Sequence, residues 1–252
     1  MISVPVRAER VATSPLGRAS PIVTLAVAAA WLVALATTTD PRAPLLVAAV
    51  AIAAALGLGR VAPGDLARGL APLWLAALTV GLFNALLAPA NADPTATVVA
   101  SLGPFRLTVP AVQAGFALAL RVVAIVAVGV AWSRVTDATH LADALVQQAR
   151  LPERFAYGAL AALQAIPWLA EDLVALREAR RIRGLRASWH PRVLVGLLVL
   201  AVRRADRLAV AMDARGFAGP GRTRYRVVRW SPVDAGVVLG GLAVLAAILV
   251  LG

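Results

Sequence analysis

The chain of 252 residues contains no lysine and no cysteine, and it has only two histidines. A Walker A loop needs a lysine to reach the β- and γ-phosphates, so a standard P-loop ATPase is excluded. Schiff-base enzymes also need a lysine, whereas thiol enzymes, disulfides and thiolate zinc sites need a cysteine. His140 and His190 lie 50 positions apart without an HExxH context. We therefore expect no metal site and no cofactor.

Outside one region the chain is poor in charge, and it is apolar overall. Hydrophobic residues make up 60% of it and the mean hydropathy is +0.80, whereas a soluble domain has roughly 45–50% apolar residues. A helix needs about 20 apolar residues to cross a bilayer. Five runs approach or reach this length, which predicts an all-α polytopic membrane protein with about five transmembrane helices. The runs are Ile22–Thr39, Ala43–Gly59, Leu70–Leu87, Val112–Trp132 and Val233–Leu251.

The charges between these runs predict how the chain is oriented. The N-terminal tail has Arg7, Glu9, Arg10 and Arg18 and is net positive, the first and third loops are neutral, and the second loop is positive. The segment after the fourth run is strongly basic. Because basic loops stay in the cytoplasm, we expect a cytoplasmic N-terminus and an external C-terminus in the cell's inner membrane.

The first run and the third loop complete this topology. The first run lacks a small-x-small cleavage site before Asp40, so we expect it to be retained as a span. Four prolines and Gly103 predict that the region from Ala88 to Val109 is an external loop rather than a helix.

The net charge of +12 is concentrated in one segment. Between Arg150 and Arg229 there are 16 arginines and six acidic residues, a net charge of +10. We predict a cytoplasmic helical coupling module between the fourth and fifth spans. The predicted regions are 1–132 with the tail and four spans, 133–231 with the module, and 232–252 with the fifth span.

Two apolar runs inside the module need a separate interpretation. Val193–Val202 is too short to cross a bilayer. We expect Gln164 and Pro167 to interrupt the other run, Phe155–Ala170. Both runs are therefore predicted to be helices buried against protein or lying near the membrane surface, with a seven-span alternative left open.

An apolar seam runs along the second helix of the module, with residues spaced 4, 3, 4, 3 and 4 positions apart. This spacing predicts a stripe that packs against the preceding helix around Leu163, Ile166, Leu169 and Leu173. The seam residues are Leu194, Leu198, Ala201, Ala205, Leu208 and Met212.

Two helix endings in the module have the same form. One contains Arg183-Gly184 and the other Ala214-Arg215-Gly216, each followed by a large apolar residue, and they lie 32 positions apart. Glycine after a helix provides a left-handed cap, and arginine in the last turn complements the helix dipole, so capping alone explains either ending. As a pair, they would present two guanidinium groups suited to carboxylates on a partner.

Several stretches of the chain match a known family. The ending Ala211–Phe217 carries the Ala-Arg-Gly signature of that family, whereas the first ending has Ile182 in place of the alanine, and Asp40–Arg42 lacks the basic residue that follows in the family. The other matching stretches are Leu120-Arg121, Thr136-Asp137 with Leu141 and Leu145, Leu151–Tyr157 and Ile166–Asp172. On these residues the chain, from about Ala19 onward, resembles the transmembrane T component of energy-coupling factor (ECF) transporters, the CbiQ-like family of vitamin and metal-ion uptake systems.

The resemblance implies a membrane scaffold that is not an enzyme and holds no cofactor. Two coupling helices would enter grooves on a pair of ABC-type ATPases, and a separate membrane-embedded S component would capture a vitamin or transition-metal ion. ATP binding and hydrolysis would then reorient the S component so that it releases its cargo inward. The residues implied in ATPase coupling are Arg183, Gly184, Ala214, Arg215 and Gly216, with the two arginines pairing with ATPase acids.

Two polar residues lie within the predicted spans. A charge such as Arg121 costs on the order of 2.5–3.5 kcal/mol at the centre of a membrane helix and normally faces protein or water. Arg121 is expected either to bond neighbouring carbonyls or to contact the S component. Asn84 is either its polar neighbour or a separate interhelical contact.

Two other functions stay open at this point. A conventional ABC permease would couple through one long cytoplasmic loop and bind substrate itself, and the paired endings argue against it. A non-transport membrane protein could use the arginines to bind anionic lipid. Nucleic acid is not an expected partner, because the module's aromatic residues are sparse and form no RNA-binding sheet motif.

Overall fold

The computed structural model describes residues 13–38, 40–93, 95–102, 105–185, 190–217, 219 and 226–251. Predictions that concern Arg7, Glu9, Arg10, Thr39 and Gly103 fall outside these residues. The helices are α1 (Pro15–Arg18), α2 (Pro21–Thr37), α3 (Arg42–Gly57), α4 (Pro63–Leu87), α5 (Val109–Val135), α6 (Ala138–Gln147), α7 (Glu153–Ile182), α8 (Pro191–Ala214) and α9 (Pro232–Leu251). Between α4 and α5 lie a 3-10 turn (Pro89–Ala92) and two strands, β1 (Val98–Leu102) and β2 (Phe105–Thr108).

Backbone contacts divide the chain into two compact units. Unit 1 comprises residues 1–144 and 228–252, and unit 2 comprises residues 145–227. Helices α1 to α5, the two strands and α9 belong to unit 1, whereas α7 and α8 form unit 2. Helix α6 runs across the boundary between the two.

Each predicted span lies on a helix, but the helix lengths differ from expectation. Helices α2 and α3 have 17 and 16 residues, or roughly 25 Å each. Among the described residues, four helical segments are long and apolar enough to cross a membrane: α4 with the turn that follows it, α5, α7 and α9. The chain is thus an all-α polytopic membrane protein, with α7 as an additional candidate span.

Helix α7 confirms that the run Phe155–Ala170 is helical, and the two residues expected to interrupt its apolar character do not end the helix. The helix is continuous from Glu153 to Ile182 and includes both Gln164 and Pro167. Proline removes one backbone donor, and long apolar helices tolerate this loss when neighbouring groups satisfy the freed carbonyl. Hydropathy and length alone therefore do not separate α7 from the other long helices.

Small residues form the core of unit 1. Ala43, Ala51, Ala55, Ala124 and Ala127 are buried on α3 and α5. Without large side chains between them, the two backbones approach closely, which is the usual basis of helix association in membranes. Larger residues, chiefly Leu35, Val47 and Ile248, fill the remaining core and are fully buried.

Helices α4 and α5 approach each other closely at two glycines. A Cβ atom added to Gly115 would lie 2.5 Å from the carbonyl oxygen of Gly81 and 2.8 Å from the Cβ of Ala85. A Cβ at Gly81 would lie 2.8 Å from the Cβ of Ala119. These glycines are therefore required by packing between the helices.

A buried carboxylate ties the N-terminal ends of α2 and α9 together. Asp234 is 3% exposed. It accepts hydrogen bonds from the backbone N–H of Ser20 at 2.6 Å and of Ser231 at 2.8 Å. A carboxylate is favoured at helix N-termini because the free N–H groups carry partial positive charge. Farther along, the indole Nε1 of Trp31 donates to the Gly241 carbonyl at 3.0 Å, which joins the same two helices.

The predicted external loop contains more structure than expected. Strands β1 and β2 form an antiparallel hairpin. The Asn91 side chain donates to the Ala85 and Leu86 carbonyls at the end of α4, and it accepts from the Thr108 N–H and hydroxyl. One asparagine therefore connects the end of α4 to the start of α5. On the exposed side of the loop, hydrogen bonds from the Thr95 hydroxyl and N–H keep the pKa of Asp93 below its usual value.

The α4–α5 contact predicts a difference between two glycines on the same helix. Gly115→Ala places a methyl group against backbone and should destabilise the protein by about 1–3 kcal/mol. Gly129→Ala is the matched control because nothing lies within 4 Å of its added Cβ, so it should be neutral or stabilising by up to about 1 kcal/mol. Tryptophan fluorescence during heating in detergent measures both. Equal melting temperatures for the two variants would contradict the close approach.

Candidate functional site

Unit 2 is an antiparallel helix pair. Tyr157 near the start of α7 makes an edge-to-face contact with Phe217 just after α8, with ring centroids 6.3 Å apart. Later on α7, Trp168 and Asp172 both contact Arg204 of α8. Residues later in α7 thus contact residues earlier in α8, so the two helices are antiparallel. The short connection between the helices is consistent with this arrangement.

A central cluster holds the two helices together. The Nη1 of Arg204 lies 2.9 Å from the Oδ2 of Asp172, and its guanidinium lies 5.6 Å from the Trp168 ring centroid. The Asp172 and Arg204 side chains are 25% and 38% exposed. Partial burial and contact with an aromatic face make this pair stronger than an ordinary surface ion pair. This ion pair was not predicted from the sequence.

Each helix of the pair extends the same number of residues beyond the cluster. We call these two segments, residues 173–183 and residues 205–215, the first and second arm. Arg183 follows Asp172 by 11 positions, and Arg215 follows Arg204 by 11 positions. At 1.5 Å per residue, each arm extends about 16 Å beyond the cluster. The repeated spacing of 32 residues was a signal in the sequence that could have indicated the contact.

The first arm ends in a complete glycine cap. Gly184 has φ +74°, and its N–H donates to the Arg181 carbonyl at 3.0 Å. The N–H of Leu185 donates to the Arg180 carbonyl at 3.2 Å. These two bonds define a Schellman motif, in which the left-handed residue is nearly always glycine. The chain therefore turns sharply just after Arg183.

The second arm ends in the same way. Gly216 has φ +72°, its N–H donates to the Asp213 carbonyl at 2.9 Å, and the Phe217 N–H donates to the Met212 carbonyl at 3.0 Å. The residue after the glycine differs in its packing, because Phe217 contacts Tyr157 whereas Leu185 is 48% exposed. Arg215 occupies the same cap position as Arg183.

Both terminal arginines are exposed. Neither guanidinium makes an ion pair or hydrogen bond with any residue that the structure describes. Because the arms extend about 16 Å from the cluster in opposite directions, the two arginine ends are separated by about 33 Å along the pair. The site consists of two separate cationic ends with the same backbone cap, rather than one cluster.

Part of the predicted seam on α8 is exposed rather than packed against α7. Leu198 is 64% exposed and Leu194 48% exposed, whereas Arg204, which lies off the seam, faces α7. A heptad-like spacing does not identify which neighbour covers the stripe. The exposed seam is thus available to another surface.

Arg121 and Asn84 occupy separate positions in unit 1. The Nη2 of Arg121 donates to the Thr38 carbonyl at the end of α2, and its Nε is buried. This geometry favours the structural role, because the guanidinium satisfies an orphan carbonyl and complements the helix dipole. The Asn84 amide instead donates to the Val80 carbonyl one turn earlier on α4. Among the described contacts, none joins Asn84 to Arg121.

The two histidines also have local contacts. The Nδ1 of His190 accepts a hydrogen bond from the Arg192 N–H at 3.2 Å and caps α8. The backbone N–H of His140 donates to the Asp137 carboxylate at 3.2 Å. Within the described ranges, no group of three His, Cys, Asp or Glu residues has a geometry suited to a metal ion.

Comparison with known proteins identifies the family of this helix arrangement. Residues 12–225 match the family model CbiQ, described as a cobalt transport protein. The chain belongs to the CbiQ family. The match includes all of α1 to α8 and both arginine ends.

Comparison with individual proteins is more specific than the family match. The chain is 30% identical over 200 residues to the energy-coupling factor transporter transmembrane protein EcfT of Listeria innocua, covering 72% of this chain and 73% of the relative. It is 29% identical over 211 residues to EcfT of Bacillus subtilis, covering 77% of each. EcfT of Thermotoga maritima is 35% identical over 98 residues, covering 35% of this chain and 36% of the relative. This CbiQ-family chain is thus a T-type membrane component of an ECF transporter.

The central cluster of this CbiQ-family protein predicts a specific energetic coupling. Arg204→Gln removes both the ion pair and the contact with Trp168, and should destabilise unit 2 by about 1 kcal/mol. Asp172→Asn should cost less, and the double variant should be less destabilised than the sum of the two because they share one interaction. Thermal unfolding of the full chain in detergent measures the cycle. Arg203→Gln on the exposed side of α8 is the control, and an equal loss in that variant would argue against the cluster.

Proposed function

We propose that this protein is the energy-coupling scaffold of an ECF-type ABC importer. In this role, α7 and α8 are coupling helices that transmit movements of two ATPase subunits to a membrane-embedded S component. The S component binds a vitamin or transition-metal ion and delivers it to the cytoplasm. The observation that supports this proposal most directly is the pair of identically capped, exposed arginine ends at equal distances from one ion-pair cluster.

The arrangement of the ends suits a pair of motor subunits. Equal arms on antiparallel helices have approximate two-fold symmetry, and paired ATPase subunits are related in the same way. Each ATPase would then receive one arm, Ile182-Arg183-Gly184 or Ala214-Arg215-Gly216. The exposed guanidinium has rigid, paired donors that fit a carboxylate in a groove.

The glycine caps make the arms suitable for transmitting force. Each helix ends abruptly, because the left-handed residue turns the chain while its N–H groups close the last turn. The load at the tip is therefore carried by a fully hydrogen-bonded helix rather than by a loop. The Arg204–Asp172 pair keeps the two arms in a fixed relation, so movement of one ATPase is conveyed to both helices.

The exposed apolar face of α8 provides a second contact surface. Leu194, Leu198 and Val202 are 48%, 64% and 52% exposed. Burying a large aliphatic side chain contributes about 1.5–3 kcal/mol. We propose that this face packs against the S component and the bilayer surface, while the arginine ends engage the ATPases.

In this proposal ATP hydrolysis occurs on the partner subunits. The chain has no lysine with which to build a Walker A loop, and its acids around α7 and α8 take part in helix pairing or lie exposed. The T component thus contributes mechanical linkage and a membrane scaffold, not catalysis.

The orientation follows from the position of the arginines. The helix ends that carry Arg18, Arg60, Arg134 and Arg229 face the cytoplasm, whereas the hairpin loop faces outside. If α7 crossed the membrane alone, the arginine-rich α8 would lie outside, which the positive-inside rule disfavours. We therefore propose that α2, α3, α4, α5 and α9 span the membrane, and that residues 133–231 are cytoplasmic.

Reversing the charge at the arginine ends tests the coupling role. Arg183→Glu together with Arg215→Glu should release the ATPases, because loss of a desolvated pair at an interface costs about 2–5 kcal/mol and the new carboxylates repel. Co-purification of the ATPases and uptake of cargo into vesicles measure the effect. Arg203→Glu with Arg207→Glu has the same net charge and is the matched control. Unchanged assembly and transport in the Arg183/Arg215 double variant would reject their role.

The absence of cysteine makes the topology directly testable. Single cysteines at Leu151 and Leu185, which are 38% and 48% exposed, should react with an impermeant maleimide only after cells are opened. Ala62→Cys should behave in the same way, whereas Thr95→Cys should react in intact cells. Labelling of the Leu151 and Leu185 positions from opposite sides would mean that α7 crosses the membrane.

A further inference from the structure

Unit 1 contains a cavity that the coupling role does not use. It has a volume of about 600 Å³ and lies among α1, α2, α3, α5 and α9. It is enclosed on several sides but remains partly open. Pockets that hold small molecules measure about 300–1,000 Å³, so the cavity is large enough for a ligand.

The cavity wall is almost entirely hydrocarbon. Val27, Ala54, Val128, Val237 and Val244 are among the residues that line it. An apolar cavity of this size does not retain ordered water, because water needs polar partners. An empty cavity would also forfeit the dispersion contacts of its lining.

Two polar side chains in the wall are hydrogen-bonded within unit 1. The Thr24 hydroxyl donates to the Pro21 carbonyl at 3.1 Å, and the Trp31 indole donates to the Gly241 carbonyl at 3.0 Å. The Nε1 of Trp132 has no hydrogen-bond partner among the described residues, but it is buried and is therefore not exposed to the cavity. The occupant is therefore recognised by shape and hydrophobicity, which favours an alkyl chain over a polar solute.

Two arginines lie close in sequence to the cavity lining, on segments joined by the hydrogen bond from the Leu16 N–H to the Leu58 carbonyl at 3.4 Å. Leu16 and Leu58 line the cavity, and Arg18 and Arg60 follow them by two positions. Arg18 and Arg60 are exposed, and neither forms an ion pair with any residue in the described ranges. Arg60 is held at φ +50°, an uncommon backbone conformation for a side chain of this size. Positive charge beside an apolar slot is complementary to an anionic lipid.

We propose that this cavity binds one acyl chain of an anionic glycerophospholipid, with the phosphate near Arg18 and Arg60. The hydrocarbon wall takes the chain, and the arginines select the headgroup charge. The lipid fills the space between α2, α3, α5 and α9 and so stiffens the helices of unit 1. Binding requires neither an ATPase nor an S component, so it is testable apart from the coupling proposal.

Two glycines on α9 permit a clean steric test. Gly236 and Gly240 line the cavity, and an added Cβ at either position meets no atom within 4 Å. Gly236→Leu with Gly240→Leu therefore fills the cavity without a backbone clash. Gly129→Leu is the matched control, because its added Cβ is equally unhindered and Gly129 does not line the cavity.

The experiment uses the full-length chain, purified in detergent and exposed to equal amounts of phosphatidylglycerol and phosphatidylcholine. Native mass spectrometry measures the lipid retained by each variant. We expect the original chain and the Gly129→Leu variant to retain a single phosphatidylglycerol. The variant with Gly236→Leu and Gly240→Leu should retain phosphatidylglycerol at an occupancy at least about tenfold lower. Arg18→Gln with Arg60→Gln leaves the core intact and should reduce the preference for phosphatidylglycerol about tenfold.

Two results would overturn the proposal. One is equal retention of phosphatidylglycerol in the filled variant and in Gly129→Leu, which would place the lipid elsewhere on the surface. The other is equal binding of the two lipids by the original chain, or an unchanged preference after Arg18 and Arg60 are replaced. The arginine variant decides the question even where the filled variant does not fold.

Discussion

The ion pair between Arg204 and Asp172 determines how unit 2 is built. Few other side chains are enclosed between α7 and α8, and the guanidinium satisfies the carboxylate while its flat face covers Trp168. This contact sets the register of the antiparallel pair, and the register sets where each helix ends. Since both arms extend 11 residues beyond it, a shift of one turn would make the arms unequal. The geometry of the two cationic ends thus depends on one partly buried contact.

The sequence was sufficient for the features that depend on local physics. Hydropathy located the apolar segments, because every lipid-facing helix must satisfy its own backbone. The Arg-Gly endings predicted left-handed caps, because few residues other than glycine adopt φ near +70° without strain. The partners of each stripe could not be predicted, since the a/d spacing on α8 carries no information about whether α7 or another chain covers it. Asn91 and Asp234 were also missed, because their role depends on backbone groups distant in sequence.

The two units achieve stability by different means. Unit 1 relies on contacts between small residues, such as Gly115 with Gly81. Alanine and glycine allow the helix backbones to pack closely. Unit 2 leaves large apolar side chains exposed and is held together by the cluster around Arg204 and by the contact between Tyr157 and Phe217. A scaffold that supports moving partners benefits from this division. The first unit resists deformation, whereas the second keeps its apolar surface available for association.

The two arms are not equivalent at their tips, and the difference has an energetic meaning. Phe217 is already packed against Tyr157, so the second end is held in place before any partner binds. At the first end Ile182 is 87% exposed and Leu185 48% exposed, and burying an aliphatic side chain in a groove contributes about 1.5–3 kcal/mol. In the proposed complex with two ATPases, the isoleucine that replaces the family's alanine would add binding energy where the arm has no support of its own. The first arm would gain contacts on docking, and the second would present a surface that is already formed.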